Sequence, residues 1–256
     1  TLNIMLFSLV FRLHPKRSIF EIAEDSVWKA LLYPVYAGVL VVFSLTGCMV
    51  AKQYILMVQM AAFPTTSPMV LKFVFDALAL LLLVKGIYNI TKAATIWFYM
   101  AIWMVLLLLF HLHEFEWARM TPFLFQGERS IVTGGLEVWL AFIGYEICLF
   151  LVPFSESTSK LFGAVHRGNL MTTTVYLLTC IVAYGFFSFE QLTRLRYPFV
   201  DLLAYIELPF VERIDNLLFT FMIFKIMITS VVYYWIALQI LKRFVPKIKE
   251  TRLAVL

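Results

Sequence analysis

Long runs of residues with almost no charge recur along the chain, at about 29–60, 69–84, 93–112, 134–154, 170–188 and 214–241. A helix needs about 20 apolar residues to cross the hydrocarbon core of a bilayer. No water reaches that core, so every backbone N–H and C=O must be satisfied by the spanning structure itself. Only helices and closed barrels achieve this, and runs of this length are helices. Composition agrees: 62% of residues are apolar and 14% charged, with a mean hydropathy of +0.88. The chain reads as an all-α polytopic membrane protein with about six full spans plus partial ends.

Residues 1–13 make half a span, closed by His14-Pro15-Lys16-Arg17, and 17–27 suit a short amphipathic helix on the membrane surface. The run at 29–60 exceeds what a bilayer needs, so it tilts or projects. Residues 61–68, with Pro64 and Pro68, form an uncharged loop. Loops are expected at 85–92, at 111–130 with mixed charge, and at 155–169 with Lys160 and Arg167. The segment 189–213 is too charged to cross and too apolar for a free linker, which predicts a lid lying on the bundle. The last span ends in Lys242-Arg243, followed by Lys247, Lys249 and Arg252. Basic loops stay on the cytoplasmic side. The loops after 13, 84, 154 and 241 are then internal, and 61–68, 113–129 and 189–213 external. The net charge of +5 belongs to these loops and carries no indication of nucleic acid. The chain opens inside an apolar run, as a piece of a longer protein would.

The span at 134–154 is unusual, because Gly144 and Glu146 stand near its middle and Pro153 near its end. A carboxylate at membrane depth is expensive and faces a bundle interior or a watery cavity. Glycine beside it lowers the cost of opening the helix. The pattern predicts two half-helices, about 130–141 and 146–154, joined by a short unwound turn. In secondary transporters such turns bring backbone carbonyls and half-helix ends to the ligand. Glu146, at the start of the second half-helix, is either a ligand contact or gate, or a cap that accepts backbone N–H bonds.

Other polar residues offer less. Lys72 and Asp76 are four apart on one helix face and neutralise each other. Lys52 snorkels to the interface, and Glu137, one turn before the break, lines an outward vestibule. His111, His113, Glu114 and Glu116 alternate at a span end and read as interfacial residues rather than a metal site. Cys48, Cys148 and Cys180 all fall in spans, with neither disulfide nor metal-ligand spacing. Asn89-Ile90-Thr91 matches a glycosylation acceptor but sits in an internal loop. No catalytic grouping, metal site or cofactor motif stands out.

Ala141-Phe142-Ile143-Gly144-Tyr145-Glu146 resembles the broken sixth span of the amino acid–polyamine–organocation superfamily. There a small residue, an aromatic, any residue, glycine and often an aromatic and an acid mark the unwound turn. With its flank, residues 144–154, the stretch resembles the B subunits of bacterial spore-germination nutrient receptors. Phe63-Pro64-Thr65-Thr66-Ser67-Pro68, Arg196-Tyr197-Pro198, and Glu212-Arg213-Ile214-Asp215 running into Phe224-Lys225 are similar to the same family. The resemblance implies a transporter-like fold of about ten spans built as two inverted repeats. Residues 1–256 would then be a single transmembrane domain truncated at both ends, from the end of the second span to the start of the ninth.

That resemblance also implies function. The chain would sense a small nutrient, commonly an amino acid, without altering it, and signal through A-type and C-type (lipoprotein) subunits in the spore inner membrane. Ala141, Phe142, Ile143, Gly144, Tyr145 and Glu146 would meet the nutrient, with Phe142, Ile143 and Gly144 offering carbonyls and a wall to an ammonium group. Lys225, in mid-span, would take the place of a sodium ion or pair with Glu146, or form a purely structural ion pair; in each case it should be buried. The rival reading is an amino acid or polyamine permease. A structural membrane anchor would leave Glu146 and Lys225 unexplained.

Overall fold

Two helices too long for a soluble domain of this size dominate a computed structural model of the chain. It describes residues 2–14, 17–121, 131–156, 158–195, 197–206 and 214–246. In chain order the helices begin with α1 (Leu2–Leu13), α2 (Ile19–Ser26), α3 (Lys29–Ala62) and α4 (Pro68–Val84). Next comes α5 (Ile87–Ile102), which tightens into a 3₁₀ stretch over Trp103–Glu114. The helices α6 (Ile131–Ala141), α7 (Cys148–Leu151), α8 (Thr158–Phe186), α9 (Phe189–Arg194), α10 (Pro198–Ala204) and α11 (Ile214–Phe244) follow. Among the described residues, Lys29–Met60, Ile87–Glu114, Lys160–Phe186 and Leu218–Phe244 are continuous helices long and apolar enough to span a bilayer. The remaining two expected spans are α4, with 17 residues, and the interrupted α6–α7 segment.

Two expected loops are helical. Only Lys85 and Gly86 interrupt the chain between α4 and α5, because Gly86 at φ +79° makes the reversal alone. Asn89 and Thr91 turn their side chains onto the carbonyls of Lys85 and Ile87, at 2.8 and 3.1 Å, so the first turns of α5 absorb their polarity. Likewise α8 starts at Thr158 and carries Lys160, His166 and Arg167 as helix. Charge marks where a helix leaves the membrane, and the helix itself continues.

The described residues form two compact units. Unit 1 takes Thr1–Ile22 and Val105–Leu208, and unit 2 takes Ala23–Met104 and Pro209–Leu256. The chain passes from unit 2 to unit 1 within the 3₁₀ stretch, an unusually long run of a geometry that seldom exceeds about four residues.

Unit 2 is built on α3 and α11, which run antiparallel. Lipid offers no hydrophobic drive between helices, so close packing and interhelical hydrogen bonds must hold them. At Gly47 a side chain would come within 2.8 Å of the Tyr234 ring, so the absence of one lets α11 approach. Nearer the other end, the buried Tyr54 hydroxyl donates to the Phe219 carbonyl at 3.1 Å. Ala51, Ile55 and Phe75 form a core covered by Ile223, Ile226 and Met227. Trp97 of α5 stacks on Phe224, centroids 4.1 Å apart. The opposite side of α4 presents Met69, Phe73 and Leu81, each more than 60% exposed, a surface suited to lipid.

Unit 1 joins α1 to α8 and to the interrupted segment through Ile4, Phe11, Cys148, Val152 and Phe162. A second core of Leu108, Val182, Ala183, Phe187 and Leu202 holds α10 against α8. The expected lid is therefore docked through the short helices α9 and α10 over 189–195 and 197–206, while 196 and 207–213 lie outside the described residues. Gly185 makes room for the Phe115 ring, which occupies the space a side chain there would need.

Candidate functional site

The helix through 134–154 breaks where Gly144 and Glu146 predict. α6 ends at Ala141, residues 142–144 form a turn, and a single 3₁₀ turn (Tyr145–Ile147) leads into the four residues of α7. Hydrogen bonds across the break tighten to i−3, from Phe142 N–H to the Trp139 carbonyl at 3.1 Å and from Ile147 N–H to the Gly144 carbonyl at 3.3 Å. Gly144 has φ +126° and ψ −19°, a conformation that side chains disfavour. Pro153, which has no N–H, sits in the 3₁₀ turn Val152–Phe154 that ends the segment.

Breaking a helix at membrane depth strands backbone groups, and side chains answer them. The Glu146 carboxylate accepts the Gly144 N–H at 2.8 Å, the capping role anticipated as one of its two readings. Tyr176 of α8 donates its hydroxyl to the carbonyl of Ala141 at 3.3 Å, and its ring meets Phe142 edge-on at 5.3 Å. Asn3 donates to the Tyr145 hydroxyl at 2.6 Å, while Phe7 stacks on the Tyr145 ring at 6.0 Å. The turn is thus pinned from both α1 and α8.

Beside it lies a cavity of about 410 Å³ bounded by Asn3, Trp139, Phe142, Tyr145, Asn169 and Thr173 among others. Aromatic walls with a few amide and hydroxyl groups are what a small polar ligand with an apolar part requires, and the volume falls in the usual range of about 300–1,000 Å³. Of the expected contact residues, Phe142 and Tyr145 line this cavity. Gly144, Tyr145 and Glu146 are half-buried, Cys148 is buried, and Ala141 and Ile143 are exposed. Tyr176, Asn3, Asn169 and Thr173 were missed. The polar residues of α8 inside an apolar run were the available signal. No sequence signal marked Tyr176 or Asn3, which meet the turn only in three dimensions.

Lys225 departs from expectation. It is exposed, because its neighbours Ile223, Ile226 and Met227 take the face of α11 packed on the Ala51–Ile55–Phe75 core and Phe224 takes the face toward Trp97. Lys225 is left on the opposite side of the helix. It belongs to unit 2 and Glu146 to unit 1. His111 departs too: it is 3% exposed, donates from Nε2 to the Leu202 carbonyl at 2.7 Å, and meets Phe186 edge-on. It ties the 3₁₀ stretch to α10 instead of lying at the interface. Lys72 and Asp76 form the expected ion pair, and Lys52 and Glu137 are exposed.

A family model described as "Spore germination protein" matches residues 1–256, the whole length of the chain. Spore germination protein B2 of Bacillus subtilis (strain 168) is 29% identical over 149 residues, 57% of this chain and 40% of the relative. Spore germination protein A2 of the same organism is 23% identical over 94% of this chain and 67% of the relative. Spore germination protein GerQB of Bacillus cereus is 23% identical over 68% of this chain and 48% of the relative. The matches thus span from two fifths to two thirds of these relatives' lengths. No solved structure matches the chain.

Proposed function

The chain belongs to the spore germination protein family, a transporter-like membrane family, and from that premise we propose that it senses a small nutrient inside the membrane. The nutrient, of amino-acid type, would bind at the unwound turn over Ala141, Phe142, Ile143, Gly144, Tyr145 and Glu146, and leave unchanged. The observation that carries this reading is the broken helix with a cavity of about 410 Å³ against it, lined by aromatic rings, amides and hydroxyls. Binding would favour one arrangement of the turn over another and so shift a conformational equilibrium. The signal would pass to A-type and lipoprotein C-type subunits in the spore inner membrane. Glu146 would serve as contact or gate.

The alternative, an amino acid permease, draws on the same broken helix. Full-length protein alone in vesicles, given labelled amino acids and an imposed proton or sodium gradient, separates the two. The sensing reading expects no concentrative uptake, and a nutrient response only when the partner subunits are present. Gradient-driven accumulation by this subunit alone would replace it with the permease.

A further inference from the structure

A second polar concavity lies in unit 2, where α3 begins and α11 ends. Glu24, Lys29, Tyr33, Tyr36, Lys242 and Arg243 surround a cavity of about 190 Å³. At roughly 30 Å³ per water it has the volume of about six, room for a phosphate group and the carbons next to it. Three cations face one carboxylate there. Glu24 lies 3.6 Å from Arg243, Lys242 and Arg243 hold further contacts, and Lys29 has no ion-pair partner among the described residues, so Lys29 supplies a positive charge that no described carboxylate offsets. The start of α3 adds to it, since its first turn holds no acidic residue and no side chain caps it. An uncapped helix N-terminus carries a partial positive charge.

The setting identifies the anion. Trp28 and Tyr33 beside the pocket are 86% and 48% exposed, and aromatic residues of this kind gather at the membrane–water boundary. Lys242 and Arg243 close the apolar run of α11, at the end of the chain's helices that the positive-inside rule places in the cytoplasm. Anionic lipids give that leaflet its negative surface potential, and basic pockets between spans bind their head groups. Leu32 and Pro246 supply apolar wall. We propose that this pocket binds a phosphate oxyanion, in the membrane the phosphodiester of an anionic phospholipid. A zwitterionic lipid would bring its ammonium group against Lys29 and Arg243 and bind less well.

The test uses full-length protein in detergent with three probes: dihexanoyl phosphatidylglycerol, dihexanoyl phosphatidylcholine and inorganic phosphate. Phosphatidylglycerol should bind saturably and at least about tenfold tighter than either other probe. Lys29→Gln and Lys242→Gln should each weaken it about fivefold, and together about 25-fold. Lys29→Arg and Lys242→Arg should retain binding, and Lys85→Gln, an exposed cation elsewhere, should have no effect. Elution volume and helical circular dichroism of each variant confirm that it is folded. Equal binding of the two lipids, or parental affinity in the double glutamine variant, would overturn the site. Inorganic phosphate binding as tightly as phosphatidylglycerol would overturn the lipid and assign the pocket to the free anion.

Discussion

Gly144→Ala offers the sharpest test of the broken helix. At φ +126° and ψ −19° an alanine has two options. It can hold the backbone where it is, at a cost of about 1–3 kcal/mol for a sparsely populated conformation. Otherwise it can relax toward negative φ and disturb the bond from its N–H to the Glu146 carboxylate, 2.8 Å long. A hydrogen bond to a charged group is worth about 1.5–3 kcal/mol, so either route costs a similar amount. For a chain of this size that lowers the melting temperature by about 2–12 °C. A buried thiol next to the break supplies the assay: Cys148 is 3% exposed, whereas Cys48 and Cys180 are exposed. In full-length protein keeping Cys148 as its sole cysteine, a thiol-reactive fluorophore should report unfolding on heating. Gly86→Ala, at φ +79°, should also destabilise. Gly38→Ala, in α3 with open space around the added carbon, should not. Parental melting of Gly144→Ala beside a destabilised Gly86→Ala would refute the strained turn.

Three further outcomes are expected. Glu146→Gln keeps an acceptor for the Gly144 N–H but loses the charge, so the protein should accumulate while the nutrient concentration for half-response rises about tenfold; an unchanged dose response would leave Glu146 as a cap alone. Gly47→Leu would force α3 from α11, where Tyr234 stands 2.8 Å from an added carbon, and should destabilise by about 1–3 kcal/mol in the same melting assay; unaltered melting would mean the helices do not meet there. Single cysteines at Thr66 and Lys247 should differ in labelling by an impermeant thiol reagent applied outside, with Thr66 reacting and Lys247 protected; equal labelling would refute the span count.

How much of this was legible in the sequence depends on the range of the interaction. The break at 142–144 was visible because its causes are local: a glycine that tolerates positive φ and a carboxylate two residues on. The Lys72–Asp76 pair was visible because a helix places residues four apart together. Helix ends at Ile87 and Thr158 were not, because charge reports the membrane boundary and local side-chain bonds carry the helix beyond it. Lys225 was misread for want of the helix face: composition says that a mid-span lysine needs cover, but only the positions of Ile223, Ile226 and Met227 reveal which side is packed. Tyr176 and Asn3 reach the turn from 35 and 142 residues away in sequence, and no local pattern encodes that.

The two units solve the membrane's demand for satisfied backbone in different ways. In unit 2 the long helices α3 and α11 satisfy it internally, apart from the bond that Pro34 removes near the start of α3, and Gly47 and Tyr54 need only set how the two helices meet. Unit 1 contains most of the 3₁₀ stretch, the broken helix and the short α9 and α10, and its irregular backbone is answered one group at a time. Glu146 takes the Gly144 N–H, Tyr176 the Ala141 carbonyl, Arg119 the Phe186 carbonyl and His111 the Leu202 carbonyl. A neutral hydrogen bond contributes only about 0.5–1.5 kcal/mol net, and one to a charged group about 1.5–3. Individual links of this kind lie within the range that a few polar contacts with a ligand can exchange, whereas the long ladders of α11 and of α3 beyond Pro34 do not. A ligand bound as proposed, in the cavity against Phe142 and Tyr145, would therefore have leverage on the backbone of unit 1, and Glu146 and Tyr176 are the links it would have to shift.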